Sequence, residues 1–144
     1  DPTHCVRVAH DGLVYVCDRG HNRVHIFETD GTFVDEVFIE RETPAPWQFD
    51  LENNVYLNRT DAGPGVGSAS MVAFSHDPDQ QYLYVGSATS YRKIYVLDRR
   101  TLELLGATDT RGGNHEMAVD SAGNIYTVDG YSRWPERYLI DTAP

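Results

Sequence analysis

The stretch DGLVYVCDRGHNRVHIFETDG, Asp11 to Gly31, decides the fold. LVYVCD and RVHIFE each alternate apolar and polar residues, the period of a half-buried strand. The polar run between them breaks that alternation. An Asp-Gly pair stands at each end, where glycine accepts the positive φ of a hairpin turn. Working outward, HCVRV before it and TFVDEVFI after it alternate in the same way. Four strand candidates thus follow one another with only short links, which predicts an antiparallel meander.

The scheme recurs. MVAFS, YLYVGS, KIYVLD and LELLGA repeat it, and so do EMAVDS, NIYTVD and RYLID. His4-Cys5-Val6-Arg7-Val8 aligns with Ser70-Met71-Val72-Ala73-Phe74 and with His115-Glu116-Met117-Ala118-Val119. Tyr15, Tyr84 and Tyr126 fall at one equivalent place. Tyr84 to Tyr126 is 42 positions, within the spacing of a propeller blade, about 40–50 residues. Tyr15 to Tyr84 is 69 positions. The excess lies in the Pro- and Gly-rich segment Glu40 to Ser68, read as an inserted loop with a short strand at NNVYLN.

The expected fold class is therefore all-β: a β-propeller segment of about three four-stranded antiparallel blades, the last incomplete, from a ring of about four to eight blades. We place blade 1 at 2–39, the insert loop at 40–66, blade 2 at 67–109 and the partial blade 3 at 112–144. No helix is expected beyond a loop turn. Terminal blades would expose apolar faces, so further blades, from this chain or another, are the expected partners, and an oligomer is expected.

Composition narrows the function. The net charge of -10 argues against nucleic acid, because phosphate contacts need clustered Lys and Arg. No apolar run approaches membrane-spanning length, so no membrane is expected as a partner. The chain opens at Asp1-Pro2 with no initiator Met and no signal peptide, and reads as a processed chain or a fragment. Cys5 and Cys17 are the two cysteines. A two-residue turn at Asp11-Gly12 sets their thiols on opposite faces, whereas a three-residue turn sets them opposite one another. The reading favours two reduced, packed thiols.

DGLVYVCDRGHNRVHIFETDGTFV and GNHEMAVDSAGNIYTVDG resemble NHL repeats, whose pattern runs apolar strand, Asp-Gly turn, a YVxD strand end, an NxR segment and a Phe before the next Asp-Gly. Within that family the blade order resembles the C-terminal half of peptidyl-α-hydroxyglycine α-amidating lyase-like proteins. THCV…CDRGHNRV and NHEM are similar to that class's histidine and arginine motifs. The resemblance implies part of a six-bladed ring, zinc held by His4 and His115 with a third histidine, and a substrate-binding arginine at Arg19. It also implies a structural calcium near the acidic residue after the second histidine, here Glu116 in place of Asp. A secreted or periplasmic location is implied as well. Ser70 stands where a blade without a zinc ligand would place it. The third histidine and the family's tyrosine would lie in blades outside this chain.

The residues can be weighed without the family. The innermost strand of each blade lines the channel, so His4 and His115, at one repeat position, point toward a shared axis from alternate blades. Neutral imidazole is a good zinc ligand; the plainer role is that of polar residues at strand starts. Arg19 at the channel mouth can clamp a carboxylate, or bridge to Asp18 or to a neighbouring blade. Asp18, Ser87 and Asp129 share one position, where such side chains bond backbone N–H groups of the next loop. Tyr131, in DGYSRW with Arg133, is the candidate for moving a proton, or it packs on Trp134. His10 and His76 precede an Asp in the first turn and should be solvated. His21 follows Arg19, and His25 should face a neighbouring blade. Asn58-Arg59-Thr60 fits a glycosylation sequon. With an incomplete catalytic set, the sequence fits an NHL-type binding or scaffold propeller best. The alternative is a zinc-dependent lyase acting on a carbinolamide-type substrate.

Overall fold

The computed structural model describes residues 3–40, 69–87, 92–129 and 135–139, and the backbone of 47–50 and 55–58. The first sheet is formed by β1 (Cys5–Val8), β2 (Val14–Asp18), β3 (Arg23–Phe27) and β4 (Phe33–Phe38). After it come β5 (Trp47–Asp50) and β6 (Val55–Asn58), paired as a hairpin within the insert. The second sheet holds β7 (Met71–Phe74), β8 (Tyr82–Gly86), β9 (Lys93–Asp98) and β10 (Leu104–Asp109). The third holds β11 (Glu116–Val119), β12 (Ile125–Val128) and β13 (Glu136–Tyr138). Strands lie in chain order in each of these three sheets. The strand expected at NNVYLN is β6; its partner β5 was not foreseen. A 3-10 turn, Arg19–His21, is the helical element among the described residues.

Turn chemistry sets the register. In the first hairpin Ala9 N–H donates to Leu13 O at 2.9 Å and Gly12 N–H to Ala9 O at 3.0 Å, with Gly12 at φ 89°. That is a three-residue loop, His10-Asp11-Gly12, closed by a left-handed glycine. Glu28 to Thr32 and Asp120 to Asn124 close in the same way, around Gly31 and Gly123.

The loop length corrects the reading of the cysteines. It pairs Cys5 with Cys17 across β1 and β2, with Cα atoms 4.9 Å apart, and the two form a disulfide. The reduced-thiol expectation rested on a two-residue turn; the extra residue, His10, shifts the register by one and brings both sulfurs to the same face.

The sheets stack face to face, with β1 against β7 and β7 against β11. First strand beside first strand means that the sheets fan out from a common line. Between the first two sheets, Tyr15, Cys17, Val24 and Ile26 of one meet Val72, Leu83, Val85 and Leu97 of the other. Tyr15 is buried, and its ring meets Phe74 edge-to-face at 4.9 Å. Between the second and third sheets, Met71, Tyr84 and Ile94 meet Met117 and Ile125. Burial raises the Tyr84 hydroxyl to about 12, so it stays neutral.

Arg99 joins the first two sheets at their polar edge. Its guanidinium donates to the Gln80 carbonyl at 2.7 Å, the Asp79 carbonyl at 2.9 Å and the Asp11 carboxylate at 2.6 Å. These groups border a hollow of about 620 Å³. Because Arg99 is spent on this clasp, we assign the hollow to structure rather than to a site.

Two outcomes check this packing. Removing the disulfide, which closes a separation of 12 residues, is expected to lower stability by about 3 kcal/mol. Denaturant midpoints with and without reductant would show it, and free thiols in the unreduced, unfolded chain would contradict the pairing. Tyr15→Ala should cost about 3–5 kcal/mol. Tyr15→Phe should cost under about 1 kcal/mol, since it removes only the long 3.4 Å bond from Arg99.

Candidate functional site

The three residues at the repeat's first position enter their strands in the same way. His4 N–H donates to Cys17 O at 2.8 Å, Ser70 N–H to Gly86 O at 3.0 Å and His115 N–H to Val128 O at 2.7 Å. Cys17, Gly86 and Val128 occupy equivalent places on the second strands. His4, Ser70 and His115 are thereby set on one rim of the fan.

Local contacts fix this rim. Asn114, buried, donates to the carbonyls of Ser87 at 3.2 Å and Lys93 at 3.1 Å. It ties the entrance of β11, and so His115, to the second sheet. The Ser70 hydroxyl donates to the Gly86 carbonyl at 3.0 Å. Gly86 leaves room for its neighbour: a Cβ there would lie 2.7 Å from Met71 Cγ.

The two histidines do converge. Their rings meet edge-to-face with centroids 5.5 Å apart. His4 Nδ1–H donates to the Ser70 carbonyl at 2.6 Å. A carbonyl only accepts, so the neutral ring keeps its lone pair on Nε2. Partial burial lowers the His4 pKa, and the charges of Arg19 and His115 lower it further, against the Ser70 carbonyl and Glu116. A neutral His4 is the form that could bind a metal. The rings border an open hollow of about 360 Å³, shared with Arg7, Met71 and Glu116.

Arg19 leads the 3-10 turn after β2. It does not line that hollow, but its charge acts on His4. Partial burial lowers its pKa. Of the expected alternatives for Arg19, the bridge to Asp18 is not formed. Asp18 instead accepts from His21 Nδ1 at 2.8 Å and from Arg23 Nε at 2.9 Å. Burial alone would raise the Asp18 carboxyl, but these two donors outweigh it and hold it below the usual range. The backbone role expected for Asp18 is thus replaced by side-chain pairing, because Arg23 at the start of β3 lies directly across from it. At the matching place Ser87 does serve the backbone, its hydroxyl accepting from Lys93 N–H at 2.9 Å.

Other expectations find their places. His10 and His76 are exposed. His25 is half-buried beside Glu36, Nε2 to Oε2 at 3.2 Å, and faces no blade among the described residues. Tyr131, Arg133 and Trp134 lie outside the described residues, as do Arg59 and Thr60 of the sequon. An ion pair between Arg7 and Glu116 spans from the first sheet to the third. Sequence reading missed it; the signal was opposite charges on the first strands of alternate repeats, with small Ala73 between them.

No family model matches the chain, and no curated protein matches it. Among solved structures it is similar to the WD40 repeats of RRP9, with a TM-score of 0.55 and 12% identity, covering 87% of this chain and 32% of that one. The chain is a segment of a β-propeller. It spans about a third of the WD40 chain it matches, and at that identity the likeness carries the fold alone. In the propeller the fanned sheets are blades, and His4, Ser70 and His115 stand at the same end of their first strands.

Histidine titration provides the check on this site. In the unfolded chain His4 should titrate near 6.5, and in the folded chain below it. The folded state then binds fewer protons in that window. Stability therefore rises with pH there and is lost as pH falls through the folded pKa. Imidazole NMR should show His4 titrating below 6.5, with the hydrogen on Nδ1 in its neutral form; a titration at or above 6.5 would contradict the buried, carbonyl-bound ring.

Proposed function

We propose that this chain is an NHL-type propeller module that binds a ligand or protein at its channel mouth and assembles with further blades, from its own or another chain. The observation that supports this reading is the rim itself: His4, Ser70 and His115 held by equivalent backbone bonds at the start of the first strand of each of the three sheets. Alternate blades thus offer polar groups to whatever enters there. Among the described residues no group of three His, Cys, Asp or Glu side chains is placed to hold a metal; the third histidine of the zinc reading would in any case come from outside this chain.

One observation supports a second reading, a zinc-dependent amidating-lyase-like enzyme. His4 and His115 approach to 5.5 Å between ring centroids, and His4 keeps Nε2 available. Two imidazoles of this kind fit part of a three-histidine set, and zinc held there would act as a Lewis acid on a substrate hydroxyl. On this reading Arg19 holds the substrate's carboxylate through its paired N–H donors, and Tyr131 moves the proton. Glu116, at the position the family resemblance links to calcium, is paired with Arg7.

Metal analysis separates the two. The binding reading expects no zinc to remain after dialysis of the intact protein. Stoichiometric zinc that is lost in the His4→Ala, His115→Ala double variant would replace it with the enzyme.

A further inference from the structure

The first strands of the three blades begin alike, except at one place. The register pairs Cys5 with Cys17 on blade 1, Met71 with Gly86 on blade 2 and Glu116 with Val128 on blade 3. Each pair follows directly on the rim residue, whose N–H donates to the carbonyl of the pair's second member. Blades 2 and 3 form this bond between strands that no covalent link joins. On blade 1 the same pair is a disulfide. β11 packs on β7 as β1 does, and its entrance holds without such a link. The repeat sets a rim residue in place unaided, so the blade fold does not account for the disulfide.

The two sulfurs are placed unequally. Cys17 is fully buried among the apolar residues between the first two sheets. Cys5 is half-buried and borders the same open hollow as His4 and His115. Exchange requires a thiolate to reach one of the sulfurs, and the hollow leads to Cys5. His4 is tied beside it by three contacts: its N–H to Cys17 O, its ring to Ser70 O, and its ring to that of His115. The first of these depends on the pair that the disulfide clamps. β1 is a four-residue strand at the edge of its sheet, and among the described residues β2 is its hydrogen-bonded neighbour. Such strands open from their ends, and His4 stands at the end that the disulfide closes.

We propose that Cys5–Cys17 is a thiol-exchange site and the redox switch of the rim: a dithiol opens the bond at Cys5, and β1 then frays and releases His4 from Ser70 and His115. One sulfur of the dithiol, as a thiolate, attacks Cys5 Sγ. A mixed disulfide forms, the bond to Cys17 breaks, and Cys17 leaves as a thiolate that takes up a proton. The second thiol of the dithiol gives up its proton and attacks the dithiol's own sulfur in the mixed disulfide. Cys5 then leaves as a thiolate and takes that proton. Two electrons have passed to the protein, and the dithiol ends as a disulfide. The reverse sequence restores the rim. The inference rests on the rim as the place of binding and adds its control.

Dithiothreitol and its oxidised form, mixed in varied ratio with the intact chain and no denaturant, test it. Thiol alkylation and mass spectrometry give the open fraction, and NMR reads the rim. The bond is expected to open while the chain stays folded. In the open form the His4 amide should exchange at least about 10-fold faster while that of His115 is unchanged. The His4 ring should also lose its uniform Nδ1–H tautomer. A Cys5→Ser, Cys17→Ser variant should behave as the open form in either buffer. A His4 amide and ring unchanged by opening, a bond that opens only in denaturant, or an open chain that unfolds would each overturn the switch. Should the variant fail to fold, the titration of the unaltered chain still decides. A His4 ring without Nδ1–H in the oxidised chain would remove the rim reading and the switch together; an oxidised rim that ignores the bond removes the switch alone.

Discussion

Face-to-face burial of apolar residues between successive blades is the constraint on which the rest depends. A single four-stranded meander has two faces and cannot cover both by itself. Tyr15 over Phe74, with Val24, Ile26, Leu83 and Val85 around them, removes one face of blade 1 from water. At about 25 cal/mol per Å² of apolar surface, this burial outweighs any surface ion pair in the chain. Because first strand adjoins first strand, the packing also fans the sheets about an axis.

The rim follows from that geometry. Two histidines more than a hundred positions apart in the chain meet because each begins a first strand, and first strands converge. Partial burial keeps His4 neutral, and the Ser70 carbonyl selects its tautomer. The blade between the two histidines thus orients a group it does not itself carry. Asp18 shows the opposite use of charge: His21 and Arg23 hold it ionised at the edge of the same blade, which leaves Arg19 unpaired with it.

Much of this was legible in the residues. Alternation marks the strands, and the matching of Tyr15, Tyr84 and Tyr126 reveals the repeat. The equivalence of His4, Ser70 and His115 was also readable, since a repeat position is a spatial position once the blades radiate. Less readable was turn length. His10-Asp11-Gly12 and a two-residue Asp-Gly turn look alike as text, yet they differ by one register step, and that step decides whether Cys5 meets Cys17. The partner of Asp18 was hidden for a similar reason. Arg19 is its neighbour in the chain, but Arg23 is its neighbour across the strands.

By itself, then, the order of residues determined the blade, its repetition and the line of positions along the channel, because alternation and spacing are one-dimensional properties that local backbone geometry converts directly into strands. Tertiary structure alone decided which side chains touch: the disulfide, the Arg99 clasp and the 5.5 Å approach of His4 to His115. Those depend on register and on the packing of one sheet against the next, and neither distance nor burial is carried by a sequence until the chain has closed its turns.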